Sequence, residues 1–320
     1  MARSALVTGG AGFIGSHVAD GLLAAGYDVT VLDDLSSGKR EQVPTGARFV
    51  EGDIASPAAA ALVRERRFDV ICHLAAQIDV RRSVRDPAHD ARVNVVGSLN
   101  LLEAARGSET PPRFIFSSTG GAIYGDLVPP PTAENADKDP QSPYGTAKLS
   151  VEYYLGYYAR VHGMDTVALR YANVYGPRQD PHGEAGVVAI FCGRLLDGAP
   201  LTVFGDGRQT RDYVFVEDVA RANVLAAACA LPGAGGVDAR AINVGTGTET
   251  SVLELARALM RTTGCTVPVE HAPARAGEQQ RSAVNVARAR DRLGWSPSVT
   301  LEDGLRRTYE WFRDRQGRMA

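Results

Sequence analysis

Through the first 170 positions, short apolar runs alternate with longer amphipathic stretches. The runs at 5–7, 29–32, 49–51, 70–74, 114–117 and 166–170 are too short for helices and predict buried strands. Between them, the stretches at 14–25, 58–66, 93–106 and 144–161 carry apolar residues at helical spacing. Regular strand–helix alternation with nearly all-apolar strands predicts an α/β fold, a doubly wound, parallel Rossmann-type sheet covered on both faces. Beyond Arg170 the segments shorten, glycine and proline recur more often, and arginines gather near Arg208, Arg211, Arg275 and Arg281. This predicts a smaller C-terminal lobe that binds substrate. The expected division is 1–172 for the dinucleotide domain and mainly 173–320 for the lobe. Later segments near 212–245, Ala241–Val244 among them, are expected to return to the first sheet.

Composition narrows the class. The chain has 320 residues, 44% of them hydrophobic, enough for a sizeable core. A net charge of −2 leaves no basic excess to follow a nucleic-acid backbone or an anionic membrane, so neither is expected as a partner. Met1-Ala2-Arg3-Ser4 runs straight into an apolar strand with no signal-like stretch, and a cytosolic protein is expected. Cys72, Cys192, Cys229 and Cys265 form no CxxC pair and read as buried reduced thiols. The histidines show no metal-binding spacing, so no metal is expected.

The first strand leads into Thr8-Gly9-Gly10-Ala11-Gly12-Phe13-Ile14-Gly15 and then a helix. Gly9, Gly12 and Gly15 stand at G-x-x-G-x-x-G spacing, and Gly10, Gly12 and Gly15 at G-x-G-x-x-G. The chemistry needs glycine for a sharp turn, for bare backbone against a pyrophosphate and for close helix–strand packing. The phosphates then sit at the positive end of the helix dipole. A purely structural turn gives the same pattern, so context decides. The second strand ends at Asp33, near the spacing of an acid that binds the adenosine ribose hydroxyls. A carboxylate there repels a 2′-phosphate and favours NAD over NADP. Asp34, Lys39 and Arg40 lie close by and read equally as a solvated loop. Asp53 and Ile54 follow the third strand, and Leu74, Ala75, Ala76 and Gln77 follow the fourth, at the strand ends where ligands of this architecture bind.

Ser142-Pro143-Tyr144-Gly145-Thr146-Ala147-Lys148 places Tyr144 and Lys148 four apart at a helix start, hence on one face. A free tyrosine has a pKa of about 10, and a neighbouring ammonium favours its phenolate, which makes the pair a base for a sugar hydroxyl. The pattern alone also arises on exposed helices. Its companion is a strand ending in Ser117-Ser118-Thr119, where Thr119 is placed to hydrogen-bond a reacting oxygen.

With these motifs in this order, the chain resembles the extended short-chain dehydrogenase/reductase family, at its UDP-glucose (UDP-galactose) 4-epimerase branch, nearly end to end. The resemblance implies catalytic roles for Thr119, Tyr144 and Lys148. It implies cofactor contacts at Gly9, Gly12, Phe13, Ile14, Gly15, Asp33, Asp34, Asp53, Ile54, Leu74, Ala75, Ala76, Gln77, Asn94, Ser117, Tyr144, Lys148 and Tyr171. For a UDP-sugar it implies Asn173, Arg211 and Arg275 at the phosphates and Glu278 at the ribose. Val187, Val188, Thr202 and Phe204 would frame the uracil, with Ser282 lining the sugar pocket. Each arginine taken alone reads as a surface charge; the set carries the assignment. It also implies a homodimer through helices 93–106 and 144–161, with Leu99, Leu102, Tyr153, Leu155 and Tyr158 at outer positions.

Epimerases, 4,6-dehydratases and decarboxylases of this type all begin by oxidation at C4. In the resembling families, dehydratases carry an acidic pair after the threonine and decarboxylases a glutamate. Here Thr119 is followed by Gly120-Gly121-Ala122-Ile123-Tyr124, without an acid, which favours the epimerase. Three alternatives stay open: a UDP-glucuronate or other nucleotide-sugar epimerase, a reductase of the same family, and a non-catalytic NAD-sensing module. The last has no use for both Tyr144 and Lys148. Arg281 beside Ser282 keeps a carboxylate-bearing sugar in play.

Overall fold

The structure, a computed structural model, describes residues 2–181, 186–275 and 279–319. Its N-terminal part runs β1 (Ser4–Thr8), α1 (Phe13–Ala24), β2 (Asp28–Asp33), β3 (Arg48–Glu51), α2 (Pro57–Arg66) and β4 (Val70–His73). Then come α3 (Val80–Arg85), α4 (Pro87–Ala91), a π-helical turn (Arg92–Val96), α5 (Gly97–Arg106), β5 (Arg113–Thr119), α6 (Pro143–His162) and β6 (Thr166–Tyr171). The strand Ala241–Val244 completes a seven-stranded sheet in the order Ala241–Val244, β6, β5, β4, β1, β2, β3. Every pairing in it is parallel. The strand order reverses between β1 and β4, and in such sheets the ligand crevice opens there, beyond the strand carboxyl ends.

The stretch 93–106, expected as one helix, differs from that expectation. Asp86 caps α4 by accepting from the His89 N–H, and α4 passes through the π turn into α5. A π turn inserts one extra residue per turn and re-aims the side chains on it. Asn94 lies on this turn.

One face of the sheet packs against α1 and α8 (Val216–Ala226), with Val7, Val31, Ile115, Leu169 and Val219 in its core. Val284, Val286, Ala289, Leu293 and Trp295 belong to this same core, although they lie late in the chain, and the Trp295 indole N–H donates to the Asp218 carbonyl at 2.9 Å. The other face buries Phe114, Phe116, Leu101, Leu102, Leu155 and Tyr158 beneath α2, α5 and α6. Each such aromatic or aliphatic side chain contributes about 1.5–3 kcal/mol. A third core joins α7 (Val187–Leu196), α9 (Val252–Thr263), α11 (Leu301–Met319) and the parallel strands Leu201–Phe204 and Val269–Ala272. A short helix, α10 (Ala287–Leu293), bears on Ala241–Val244.

Two expectations are corrected here. Leu102, Leu155 and Tyr158 do not face outward but are buried in the chain's own core, with Leu99 packed against it. The helix faces that carry them are those turned to the sheet. Of the five named outer positions, Tyr153 alone is exposed. Of the cysteines, Cys72 and Cys192 are buried, whereas Cys229 and Cys265 are half-buried. Among the described residues, no helix is long and apolar enough to cross a membrane.

Candidate functional site

The turn after β1 tolerates only glycine at its key points. Gly9 has φ +70°, and a Cβ on it would lie 2.6 Å from the Ala75 nitrogen. One on Gly15 would lie 2.1 Å from the Gly9 carbonyl oxygen. The loop is thus laid directly on the end of β4, where the Leu74 and Ala75 N–H groups each donate to the Thr8 hydroxyl at 3.2 Å. Helix α1 starts at Gly12 with no side-chain cap, with Phe13 and Ile14 opening its first turn. The first N–H groups of a helix lack intrahelical partners and carry partial positive charge, so this end suits a pyrophosphate. Bare backbone, small Ala75 and Ala76, and an uncapped helix start fit a dinucleotide.

Asp33 is 6% exposed at the end of β2; its Oδ2 accepts from Ala11 N–H at 3.0 Å and its Oδ1 from Leu35 N–H at 2.9 Å. Burial raises its carboxyl above the ordinary range, opposed by those two N–H groups. The neighbouring cations are engaged elsewhere. Lys39 pairs with Asp180 at 3.6 Å, and Arg40 stacks 4.2 Å over the Phe49 ring. Neither is held for a 2′-phosphate, which supports NAD over NADP. Asp34 accepts from the N–H and hydroxyl of Ser36, and exposed Asp53 from the Ala55 N–H, so both carboxylates close local turns. Ile54 is buried against Gly97.

Behind β4 lies a closed polar cluster. Asn94 accepts from Gln77 N–H at 2.8 Å and donates to the Gln77 carbonyl at 2.9 Å, reading its backbone on both sides. The π turn supplies the aim. Tyr171, expected as a cofactor contact, instead buries its ring in the core and joins its hydroxyl to the Asn223 amide, so only its backbone remains for such a contact.

Helix α6 is well delimited. Ser142 caps it by accepting from Gly145 N–H at 3.1 Å, Pro143 stands in the first turn, and Gly163 ends it at φ +66°. Tyr144, Lys148 and Glu152 follow at intervals of four along one face. The Lys148 ammonium donates to the Ser117 carbonyl at 2.9 Å and lies 4.7 Å above the Phe116 ring and 5.8 Å from the Tyr144 ring centre. This ties the tyrosine–lysine pair to the strand whose last residue is Thr119. Burial lowers the Lys148 pKa to about 8, and the charges of Asp90 and Glu152 work against that fall. A Cβ on Gly145 would lie 2.5 Å from the Ala122 carbonyl oxygen, so α6 starts directly against the segment that follows β5. That segment is small and apolar, with Ile123 and Tyr124 buried.

The remaining predicted positions lie on later segments of the chain. Thr202 and Phe204 are half-buried, alternating with buried Leu201 and Val203. The Arg275 guanidinium stacks 3.7 Å over the Phe204 ring, joining two residues expected to serve different parts of a nucleotide. Val187 and Val188 begin α7, exposed Asn173 begins the strand Asn173–Tyr175, and Arg211 stands on Thr210–Arg211. Glu278 lies outside the described residues. The segment from Gln279 onward crosses the stretch that follows β5: Gln279 donates to the Gly125 carbonyl at 2.8 Å, and Val284 packs where a Gly120 Cβ would be. Ser282, 7% exposed, falls between these two contacts.

Sequence reading missed four carboxylate partners, three of them buried and Glu249 half-buried. Asp212 accepts from Thr246, Gly247 and Val284 N–H groups. Glu249 holds Arg281 by two hydrogen bonds, Glu152 holds Arg170, and Asp90 holds Asn94. Only the spacing of Glu152 from Lys148 was a signal on the page.

A parallel sheet with a glycine-turned dinucleotide crevice, and a tyrosine–lysine pair at its mouth, defines a nicotinamide-dependent enzyme of the short-chain dehydrogenase/reductase type. The chain belongs to the NAD dependent epimerase/dehydratase family, whose sequence model matches residues 5–245. It is 47% identical to a UDP-glucose 4-epimerase of Mycolicibacterium smegmatis over 97% of this chain and 98% of that one. Among solved structures it is similar to a UDP-glucose 4-epimerase of Thermotoga maritima with UDP-glucose, at TM-score 0.92 and 47% identity, covering 98% of this chain and 100% of that one. A UDP-glucose 4-epimerase of Thermus thermophilus in complex with NAD matches at TM-score 0.89 and 44% identity, over 97% and 99% of the two chains.

Proposed function

We propose that this enzyme is an NAD-dependent 4-epimerase of UDP-hexoses, UDP-glucose and UDP-galactose first, acting in the cytosol. The observation that carries this reading is the Tyr144–Lys148 pair tied to β5 beside a segment, Gly120 to Tyr124, that offers no acid. Chemistry at C4 is therefore provided for and loss of the C6 hydroxyl is not.

Tyr144 takes the proton of the C4 hydroxyl, with the Lys148 ammonium stabilising the phenolate and Thr119 hydrogen-bonding the sugar oxygen. The glycine turn, Asp33 and the Gln77–Asn94 cluster would hold NAD, which when bound supplies the hydride acceptor and donor that C4 oxidation and re-reduction require. Arg211, Arg275 and Asn173 would grip the diphosphate, and the hexose must turn about its phosphate linkage to present its other face. Tyr144 then returns the proton to the C4 oxygen as the reduced cofactor, when bound, would give its hydride back to C4, so net redox change is nil. Freshly purified protein should convert UDP-galactose to UDP-glucose with no added cofactor and release NAD on acid treatment. Release of mainly NADP, or a need for external NADH, would overturn the reading.

Arg281 does not favour a glucuronate substrate, because Glu249 holds its guanidinium by two hydrogen bonds. Serine at 282 is smaller than the phenol ring of a tyrosine, and its place in the sugar pocket is what the resemblance implies. UDP-N-acetyl sugars should therefore be accepted, and Ser282→Tyr should suppress turnover of those while sparing UDP-galactose. A wild type that refuses UDP-N-acetylglucosamine removes Ser282 as the gate.

A homodimer is proposed through α5 and α6. Its apolar face would carry exposed Tyr153, Tyr157 and Val161 on α6, with exposed Val96 on the π turn ahead of α5, in place of the buried positions named from sequence. Light scattering at micromolar concentration should give the mass of two chains; a monomer mass counts against it.

A further inference from the structure

Lys148 and Asp90 are two buried side chains of opposite formal charge, 3% and 1% exposed, that form no ion pair among the described residues. Asp90 lies on α4, which packs against α6, and both Asp90 and Ala147 line one cleft of about 540 Å³ between these helices. Its Oδ1 accepts from the Gln77 amide at 2.9 Å and the Asn94 amide at 3.0 Å, while its Oδ2 is buried with no hydrogen-bond partner among the described residues. A buried carboxylate oxygen without a partner is costly unless a nearby charge compensates it. The groups facing Lys148 leave one source for that compensation. From α6 come Tyr144 and Glu152, and Glu152 is already neutralised by the doubly bonded Arg170. From β5 come Phe116 and the Ser117 carbonyl. From β4 comes His73, whose ring bridges the Thr8 and Ser98 hydroxyls at 2.7 and 2.8 Å and which burial and Lys148 hold neutral, with a pKa of about 3. From α4, which packs on α6, comes the charge of Asp90, which opposes the fall in the Lys148 pKa.

We propose that Asp90 is a positioning residue: the buried counter-charge that keeps the Lys148 ammonium protonated beside Tyr144, while its other oxygen fixes Gln77 and Asn94 in the cofactor crevice. It touches neither substrate nor reacting atoms and acts through Lys148. This rests on the proposed function for its consequence, but its test does not. Burial works to discharge Lys148, and the Asp90 charge opposes that; removing the charge lets the ammonium lose its proton at lower pH. Asparagine at 90 keeps an oxygen for Gln77 and Asn94 and removes only the charge.

Lysine occurs in this chain at 39, 138 and 148 alone, so each ammonium can be followed separately. The experiment titrates enzyme labelled with ¹³C at the lysine ε-carbons, with its natural NAD content, and assigns the Lys148 signal by its loss in Lys148→Met. Asp90→Asn is expected to lower the Lys148 midpoint by about one pH unit or more, leaving Lys39 and Lys138 in place. The alkaline limb of kcat should move the same way at unchanged KM, and Asp90→Glu should return both. If Asp90→Asn does not fold, Asp90→Ser makes the same comparison. A Lys148 midpoint that stays put in a folded variant overturns the proposal. A protein that shows the shift yet never epimerises a UDP-hexose overturns the proposed function and leaves the role of Asp90 standing.

Discussion

Tyr144→Phe is expected to lose roughly a hundredfold or more in kcat, the range of general-base catalysis, while UDP binds nearly as in the wild type. The hydroxyl is the only atom removed, and the ring beside Lys148 and the helix cap at Ser142 remain. The diphosphate contacts are proposed for another wall of the crevice, at Arg211 and Arg275. Turnover of UDP-galactose and calorimetric binding of UDP separate the two effects. Near-normal kcat would remove Tyr144 as the base; equal losses in both would mean the variant disturbed the crevice as a whole.

The second large effect is on stability. Arg170 is fully buried, bonded to Glu152 through Nε at 3.1 Å and Nη2 at 2.5 Å, to Asp238 at 2.7 Å and to the Tyr124 hydroxyl at 2.9 Å. Ser118 adds a 2.5 Å hydrogen bond to the same glutamate. Arg170→Met should destabilise the fold by about 3–5 kcal/mol, because it leaves Glu152 charged and unpaired inside the protein. Removing both charges, as in Glu152→Leu with Arg170→Met, should recover much of that loss. Urea unfolding of both variants tests this; a double variant no more stable than the single one would mean that the stranded charge is not the cause. Since Glu152 shares a helix face with Tyr144 and Lys148, the pair also anchors α6 to β5 and β6.

Sequence by itself determined the elements and the chemistry that repeats locally. The six N-terminal strands and α1, α2 and α6 were legible because buried strands and amphipathic helices impose their periods on the apolar positions. Helices α3 and α4 and the π turn ahead of α5 were not. Gly9, Gly15 and the tyrosine–lysine spacing were legible because a single turn of backbone demands them. Asp33 was legible because its strand ends there. Tertiary structure alone decided the rest, and the reason is the same in each case: the partner lies far along the chain. Asp90 acts on Lys148 from a helix packed against α6, and Glu152 finds Arg170 across helix and strand. Val284 to Trp295 return to the first core from a region whose composition suggested a separate lobe. The outward face of α5 and α6 also escaped the sequence. On a helix with apolar residues most of the way round, periodicity does not say which side meets the sheet, and only packing put Leu155 and Tyr158 inside and Tyr153 and Tyr157 outside.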